Sequence, residues 1–544
     1  MRKMFSAAVL TVAAVSAVLL GGCKSEEDFR NERAENAMKH FETSRFKQPA
    51  DGKVLSLRDC IELAQKNNLE LKVRQLEEQV AREQKTAEML GMLPELNIKN
   101  SFTARSNTAA SSSKKLEGSG MTYGYSTSTD RNVNVFSTEL ALSTLDFGLA
   151  FFNTVQANDR ELMRQQRLRR TSQNLTLDVV KSYFRVAAAQ RAIGITRKLL
   201  ADCRGRYELI EKLSKSRAIT PFRAFDETRQ FVDMEKRLTN YIRSYENSCV
   251  ELRALLGLDP SGQIRLDESV LDTVPRLEFP DLALMEQIAL LERPELYETD
   301  MRKHINVTDC RKELVKMLPS ARIFIDFNND NNSYLYHASW YGIGITAAYN
   351  LLKLPQHIAS YMAYDSMADA EEAKAYSMGV GIMAQVRISH ADLLSVKERF
   401  AIDDRVCKTY RKNLQWALAN SKTTGELSQL ELDHIRLETA EKEIARIVSL
   451  GNMYVAYFQV LNTLGVSKID ADSIDALKSE LEAARLRAEG ELLKAETAYN
   501  KKLTERPAEK PAAGGEAVKA KADFDLVNQP LTTLGVSDGL ASGI

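Results

Sequence analysis

Proline sets the first limit on this chain: residues 95–220 and 356–506 contain none. Proline removes a backbone donor and clashes with the preceding helical turn, so runs of that length leave room for helices far longer than a globular core uses. Glycine is sparse too, at 25 residues beside 12 prolines in 544. A sandwich or propeller needs turn residues about every 8–12 positions and is excluded on that ground. Length alone would suggest roughly three or four compact domains, but the proline-free runs argue for long continuous helices instead. Lys and Arg number 74 against 74 Asp and Glu. A chain with no net charge lacks the broad electrostatic grip that nucleic acid requires, so no nucleic-acid partner is expected.

Arg2 and Lys3 precede an apolar, charge-free run over 4–20, the length of a signal-peptide core and short for a spanning helix. The run ends in Leu20-Gly21-Gly22-Cys23, which resembles the lipobox of bacterial lipoproteins. That resemblance implies a signal peptide over 1–22, cleavage before Cys23, and lipidation of Cys23 at its thiol and its new amino terminus. Several acyl chains anchor firmly where one is marginal. Lys24 follows, where an inner-membrane retention signal would place Asp, so the outer membrane is the expected destination.

Cys60, Cys203, Cys249, Cys310 and Cys407 are widely spaced, with no C-x-x-C pair and no neighbouring histidine, and read as small apolar residues in helices. The histidines are scattered without an H-E-x-x-H pattern. Gly342-x-Gly344 and Gly379-x-Gly381 lack the rest of a phosphate loop, and no nucleophile elbow is present. No catalytic residues, no metal site and no cofactor are expected, and the chain is not read as an enzyme.

Comparison of the chain with itself shows a repeat. Met92-Leu93-Pro94 recurs as Met317-Leu318-Pro319, each ending a helical pattern and opening an alternating one. The helical patterns upstream cover 57–90 and 282–314, with Asn67-Asn68-Leu69-Glu70-Leu71 corresponding to Glu292-Arg293-Pro294-Glu295-Leu296. Each copy closes on a leucine-glycine turn, at Leu256-Gly257 and Leu464-Gly465. Within each copy the predicted order is helix, strand, loop, strand, long helix, turn, helix.

The strands read as alternations: Leu96, Ile98, Asn100 and Phe102, then 133–145, in the first copy; Ile323, Ile325 and Phe327, then Trp340, Gly342, Gly344 and Thr346 facing away from Tyr341, Ile343 and Ile345, in the second. Their length suits a tilted crossing of a bilayer, about 9–11 residues. Tyr334, Tyr336, Trp340, Tyr341 and Tyr349 would suit interfacial girdles, and the polar loops 106–131 and 328–333 the outer surface. A long helix over 147–216 would span roughly 105 Å at 1.5 Å per residue. It repeats Val179, Val186, Ile193, Leu200 and Tyr207 every seven residues, beside a row of mostly small residues at Ser182, Ala189, Thr196, Cys203 and Ile210. A second long helix is expected over 355–420, locally weakened at Gly379 and Gly381. The predicted division is signal peptide 1–22, linker 23–54, first repeat 55–258, connecting segment 259–280, second repeat 281–466, helical segment 467–505 and a disordered tail 506–544.

Two halves of this order, with Leu-Pro before each first strand and Leu256-Gly257-Leu258-Asp259-Pro260 closing the first, resemble the TolC-type outer-membrane efflux proteins. The resemblance implies a fold that is mainly α with a membrane β part. Long coiled-coil helices would form an α-barrel across the periplasm, and four strands per chain would join one shared 12-stranded β-barrel in a homotrimer. It further implies a channel, lipid-anchored and membrane-spanning, that exports small molecules with a periplasmic adaptor and an inner-membrane transporter. The outer channel of a type I protein-secretion system, or a periplasmic coiled-coil lipoprotein with no pore, are the alternatives. Gly425-Glu426-Leu427-Ser428 and the residues after it are similar to the family's tip turn, which assigns Glu431 to the channel entrance with Asp433 and His434 beside it. Alignment of Thr220 with Ser428 puts Arg217 in place of the glycine, Arg223 in place of Glu431 and Asp226 opposite His434. The adaptor would dock at Arg217, Ala218, Ile219 and Thr220 and at Gly425, Glu426, Leu427 and Ser428.

Overall fold

The computed structural model describes residues 24–45, 54–112, 124–259, 262, 264–275, 278–423, 429–466 and most of 482–497. Cys23, the tip residues Gly425, Glu426, Leu427 and Ser428, and the tail 506–544 lie outside the described residues. The chain forms two compact units, 1–485 and 486–544; the described residues of the second are helical, and every element named below belongs to the first.

Helix α1, Glu26–Arg45, is mostly exposed over 26–42. Strand β1, Val54–Leu55, pairs in parallel with β4, Arg265–Leu266, and ties the start of the first half to the segment linking the halves. Ser56 then opens α2, Leu57–Asn67, with a capping box: Ser56 Oγ accepts from Asp59 N at 3.1 Å and the Asp59 carboxylate accepts from Ser56 N at 3.0 Å. The single helix predicted over 57–90 is corrected here, because the chain turns extended at Asn68. Its side-chain oxygen accepts from Leu71 N at 3.0 Å and starts a new helix, α3, Leu69–Leu90. The second half breaks at the matching place. Arg293 is extended between α6, Leu282–Glu292, and α7, Pro294–Lys316, since proline disfavours helical geometry in the residue before it.

The two long helices are slightly longer than expected. α4, Thr144–Lys215, has 72 residues, and α8, Leu354–Thr423, has 70 and runs through Gly379 and Gly381 without a break. Each is followed by a half-length return helix, α5, Pro221–Leu255, and α9, Gln429–Leu464. α4 packs against α3 and α5 and also against α7 and α9, while α8 packs against α7 and α9. The helices therefore lie abreast with α3 and α5 at one margin and α8 at the other. The seven-residue rows mark the seams: Val179, Val186, Leu437, Ile444 and Phe458 are buried, with Ile193, Leu200 and Tyr207 half-buried. α9 is apolar enough over Glu431–Leu464 to cross a membrane by composition, yet more than half of its most apolar stretch is covered by its neighbours. That marks a seam helix.

The end of the helices opposite the α4–α5 turn carries one antiparallel sheet in the order β2-β3-β5-β6. β2 is Glu95–Ala104, β3 Asn132–Ser143, β5 Ser320–Asp330 and β6 Ser339–Ala348. The register sorts the side chains onto two faces. Leu96, Leu140, Ile325 and Ile343 form one row, and Ile98, Thr138, Phe327 and Tyr341 the next. Trp340 lies on the opposite face, in register with Asn328. Trp340 and Tyr341 are consecutive in a strand of period two, so they point to opposite faces and cannot both sit in one girdle.

The leucine-glycine turns are equivalent in three dimensions. Gly257 has φ +65 and Gly465 has φ +76, and each turn closes with an amide bonded five residues back, Leu258 N to Arg253 O at 2.9 Å and Val466 N to Leu461 O at 3.3 Å. A Cβ at Gly257 would lie 2.9 Å from Asn67 O, and one at Gly465 would lie 2.9 Å from Glu292 O. Each turn thus seats on the helix break of its own half, at the two segments that match in sequence.

Candidate functional site

The α4–α5 turn is a helix C-terminus run directly into an N-terminus. Arg217 adopts φ 60, the left-handed position that normally falls to glycine, and Ala218 N closes the turn on Leu213 O at 2.9 Å. Ile219 packs into the core formed by α4, α5 and α9. Thr220 Oγ1 accepts from Arg223 N at 3.3 Å and Pro221 fills the first helical position. Arg217 therefore holds a left-handed conformation, at a cost of about 1–2 kcal/mol for a residue with a Cβ.

At this end the first turns of α5 and α9 meet. Arg223 Nη2 lies 3.6 Å from Glu431 Oε1 within one chain, and both side chains are about half exposed, at 54% and 50%. A carboxylate suits a helix N-terminus and a cation does not, so the pair offsets the misplaced charge of Arg223; an exposed pair of this kind contributes about 0–1 kcal/mol. The neighbouring positions divide. Asp433 is buried and pairs with Arg206 of α4 and with Arg436 at 3.3 Å, which fastens α9 to α4. His434 Nε2 turns to Glu438 at 3.1 Å, and Asp226 pairs with Arg229 at 3.1 Å. Of the five charged candidates the structure brings Arg223 and Glu431 together at the surface and places Asp433 in the seam. Farther from the tip, Arg237 Nε reaches Glu441 at 3.0 Å.

At the other end, one sheet face is an apolar surface left exposed among the described residues. Leu96, Ile98, Phe102, Leu140, Leu142, Ile323, Ile325, Tyr341, Ile343 and Ile345 are all exposed on it. A soluble hairpin layer would bury such a face against helices. The apolar positions alone single out this face; the charges between them, Glu95, Lys99, Glu139, Arg322, Asp326 and Asp330, all lie on the other face. Period-two alternation was the signal that would have found them.

Cys60, Cys310 and Cys407 are buried in helices, and burial pushes the Cys60 thiol up to about 12. Among the described residues no cluster of three His, Cys, Asp or Glu side chains is placed to hold a metal ion.

Residues 60–258 match the family described as outer membrane efflux protein. Among solved structures, the CmeC outer membrane channel of Campylobacter jejuni shares the fold with a TM-score of 0.58 at 13% identity, over 78% of this chain and 89% of that one. The open-state MtrE outer membrane channel of Neisseria gonorrhoeae gives 0.58 at 14% identity, over 75% and 88%. The outer membrane protein VceC of Vibrio cholerae gives 0.57 at 12% identity, over 75% and 96%. No curated protein sequence matches the chain. These likenesses bear out the resemblance read from the repeat and the mainly α fold with a β part, and the matched family segment is the first half.

Proposed function

We propose that this chain, with a first half of the outer membrane efflux type and a fold shared with outer-membrane channels, is an outer-membrane channel subunit that exports small molecules. The observation that carries the reading is the sheet: four strands of bilayer length and, among the described residues, an uncovered apolar face and unpaired edges at β2 and β6. In lipid an open edge leaves backbone groups without partners, so the sheet must be closed by other copies. A homotrimer closes it as a 12-stranded barrel, and the abreast helices close below it as a periplasmic tunnel whose margins, α3 with α5 and α8, meet between copies. Exposed Phe222 and Phe225 on α5 and Trp416 on α8 supply apolar surface for that contact.

The tips are then the tunnel entrance. Three copies of Glu431, each beside its own Arg223, would ring the opening, with Asp433 holding α9 in place behind them. Arg217, Ala218, Ile219, Thr220 and the residues Gly425, Glu426, Leu427 and Ser428 are the surface offered to a periplasmic adaptor, which joins the channel to an inner-membrane transporter. Lipid on Cys23 adds an anchor independent of the strands.

The test is reconstitution of the purified full-length protein in planar bilayers, with its mass measured in detergent. Discrete conductance steps from a three-chain particle support the reading. A particle of another size, or a trimer that never conducts, favours a tether without a pore.

A further inference from the structure

The two faces of the sheet differ in charge. The apolar face carries no Asp, Glu, Lys or Arg, whereas the other carries Glu95, Glu139, Asp326 and Asp330 against Lys99 and Arg322. A basic side chain facing lipid at mid-membrane costs about 2–4 kcal/mol, so the charged face must meet water. Four carboxylates opposed by two cations leave an acidic surface on every copy.

The wall is also built to keep these groups flat. Glu139 and Asp326 stand directly opposite one another on β3 and β5, an arrangement of like charges that is unfavourable without compensation. Arg322 donates to Glu139, and Asn328 Nδ2 donates to Asp326 Oδ2 at 2.8 Å. Asp326 Oδ1 has no hydrogen-bond partner among the described residues. Asp326 lies across β6 at Gly342, where a Cβ would sit 2.1 Å from Oδ1, and the Phe324 ring lies across Gly344, where a Cβ would sit 2.4 Å from the ring. Two glycines on the charged face of one strand thus give the side chains of the next strand a bed to lie on, and they stay out of the space in front of the sheet.

We propose that this face lines the bore and that Glu139, Asp326 and Arg322 are its specificity-determining residues, making the barrel wall prefer cations over anions. The inference rests on the channel reading above and locates charge selection in the wall, apart from the tip. Three copies repeat the Glu139 and Asp326 row around the bore, where walls of low dielectric concentrate the field of like charges.

The experiment measures reversal potentials of the full-length channel in planar bilayers under a potassium chloride gradient. The wild type is expected to pass potassium in preference to chloride. The double variant Glu139→Gln with Asp326→Asn keeps shape and hydrogen bonding while removing two charges, and should lower the potassium-to-chloride permeability ratio by about threefold or more. Arg322→Gln should raise the ratio. Gly342→Val displaces Asp326 from its bed and should lower single-channel conductance. A conducting wild type whose ratio is unmoved by both charge variants, while Glu431→Gln shifts it, overturns the proposal and assigns selection to the tip. A wild type without conductance sinks the channel reading, and this proposal with it.

Discussion

Where the first half ends, the Leu256 carbonyl accepts from Asn67 Nδ2 at 3.4 Å and Arg253 turns onto the Asp259 carbonyl. Where the second half ends, on the same backbone turn, the carbonyls draw in side chains from α4 and from the α6–α7 break. Arg170 reaches Asn462 O and Arg293 reaches Thr463 O, each at 3.1 Å, while Gln173 and Arg169 reach Gly465 O at 2.9 and 3.3 Å. Glu295 stands between the two guanidiniums, 2.8 Å from Arg170 and 3.3 Å from Arg293. Burial pulls the pKa of both guanidiniums below the usual range, and Arg170 adds to the effect on Arg293. Duplicated halves can thus keep one backbone motif and hold it by different chemistry, since a turn needs its glycine while its carbonyls accept any well-placed donor.

The largest effect expected from this difference is at Arg293. Arg293→Met leaves the buried Thr463 carbonyl without its donor, while Glu295 keeps Arg170, and should cost about 2–3 kcal/mol, whereas Asn67→Ala should cost about 1 kcal/mol. Urea-dependent loss of helical circular dichroism in detergent measures both. Equal losses would erase the distinction between the halves.

The backbone itself should be symmetric. Gly257→Ala and Gly465→Ala each force a side chain into a left-handed position, at about 1–2 kcal/mol, and into contact with the break of its own half. Similar costs by the same assay sharpen the comparison. A tolerated substitution at one site would show that only one half depends on the turn.

Acid should then separate the halves. The Glu298 carboxylate is held below its usual range by a hydrogen bond from Arg167, and Asp404 by Lys408 and then Arg446. Both lie in the second half. A carboxylate whose pKa is depressed by folding stabilises the fold above its ordinary value near about 4 and loses that contribution as pH falls toward the folded value. Hydrogen exchange followed from pH 6 down to about 3 should show α7 and α8 losing protection before α5. Simultaneous loss would count against a second half braced by charge.

The smallest expected effect is a gain. Arg217→Gly restores the residue that φ 60 favours and should stabilise the α4–α5 turn by about 1 kcal/mol, read as slower proteolysis at the tip. No change in cleavage would mean that the arginine bears no strain.

These contrasts mark what the sequence could and could not disclose. The repeat, the two long helices and the strand pairs were legible because each depends on a periodicity or on the Leu-Pro and Leu-Gly landmarks. The breaks at Asn68 and Arg293 were not, although Asn67-Asn68 had been matched with Glu292-Arg293; apolar spacing continues across both, and the capping oxygen of Asn68 outweighs it. At the tip, a pairing of Glu431 with a basic group such as Arg223 on a neighbouring helix is one of several options that the sequence allows; packing selects it, because helices about 200 positions apart carry no local signal of which turns meet. Asp433 looked like a neighbour of Glu431 on the same helix; only packing shows it turned toward Arg206.

The account stands on one orientation: the apolar sheet face toward lipid and the charged face toward water in an open bore. Single cysteines at Ile98 and Thr138 on one face, and at Lys99 and Ser137 on the other, test it in planar bilayers with a membrane-impermeant charged thiol reagent. The parent chain, whose described cysteines are largely buried, serves as the blank. The account expects the reagent to change current at once through the Lys99→Cys and Ser137→Cys channels and to leave Ile98→Cys and Thr138→Cys unaltered. Equal modification at all four positions, or modification confined to the apolar pair, would contradict it.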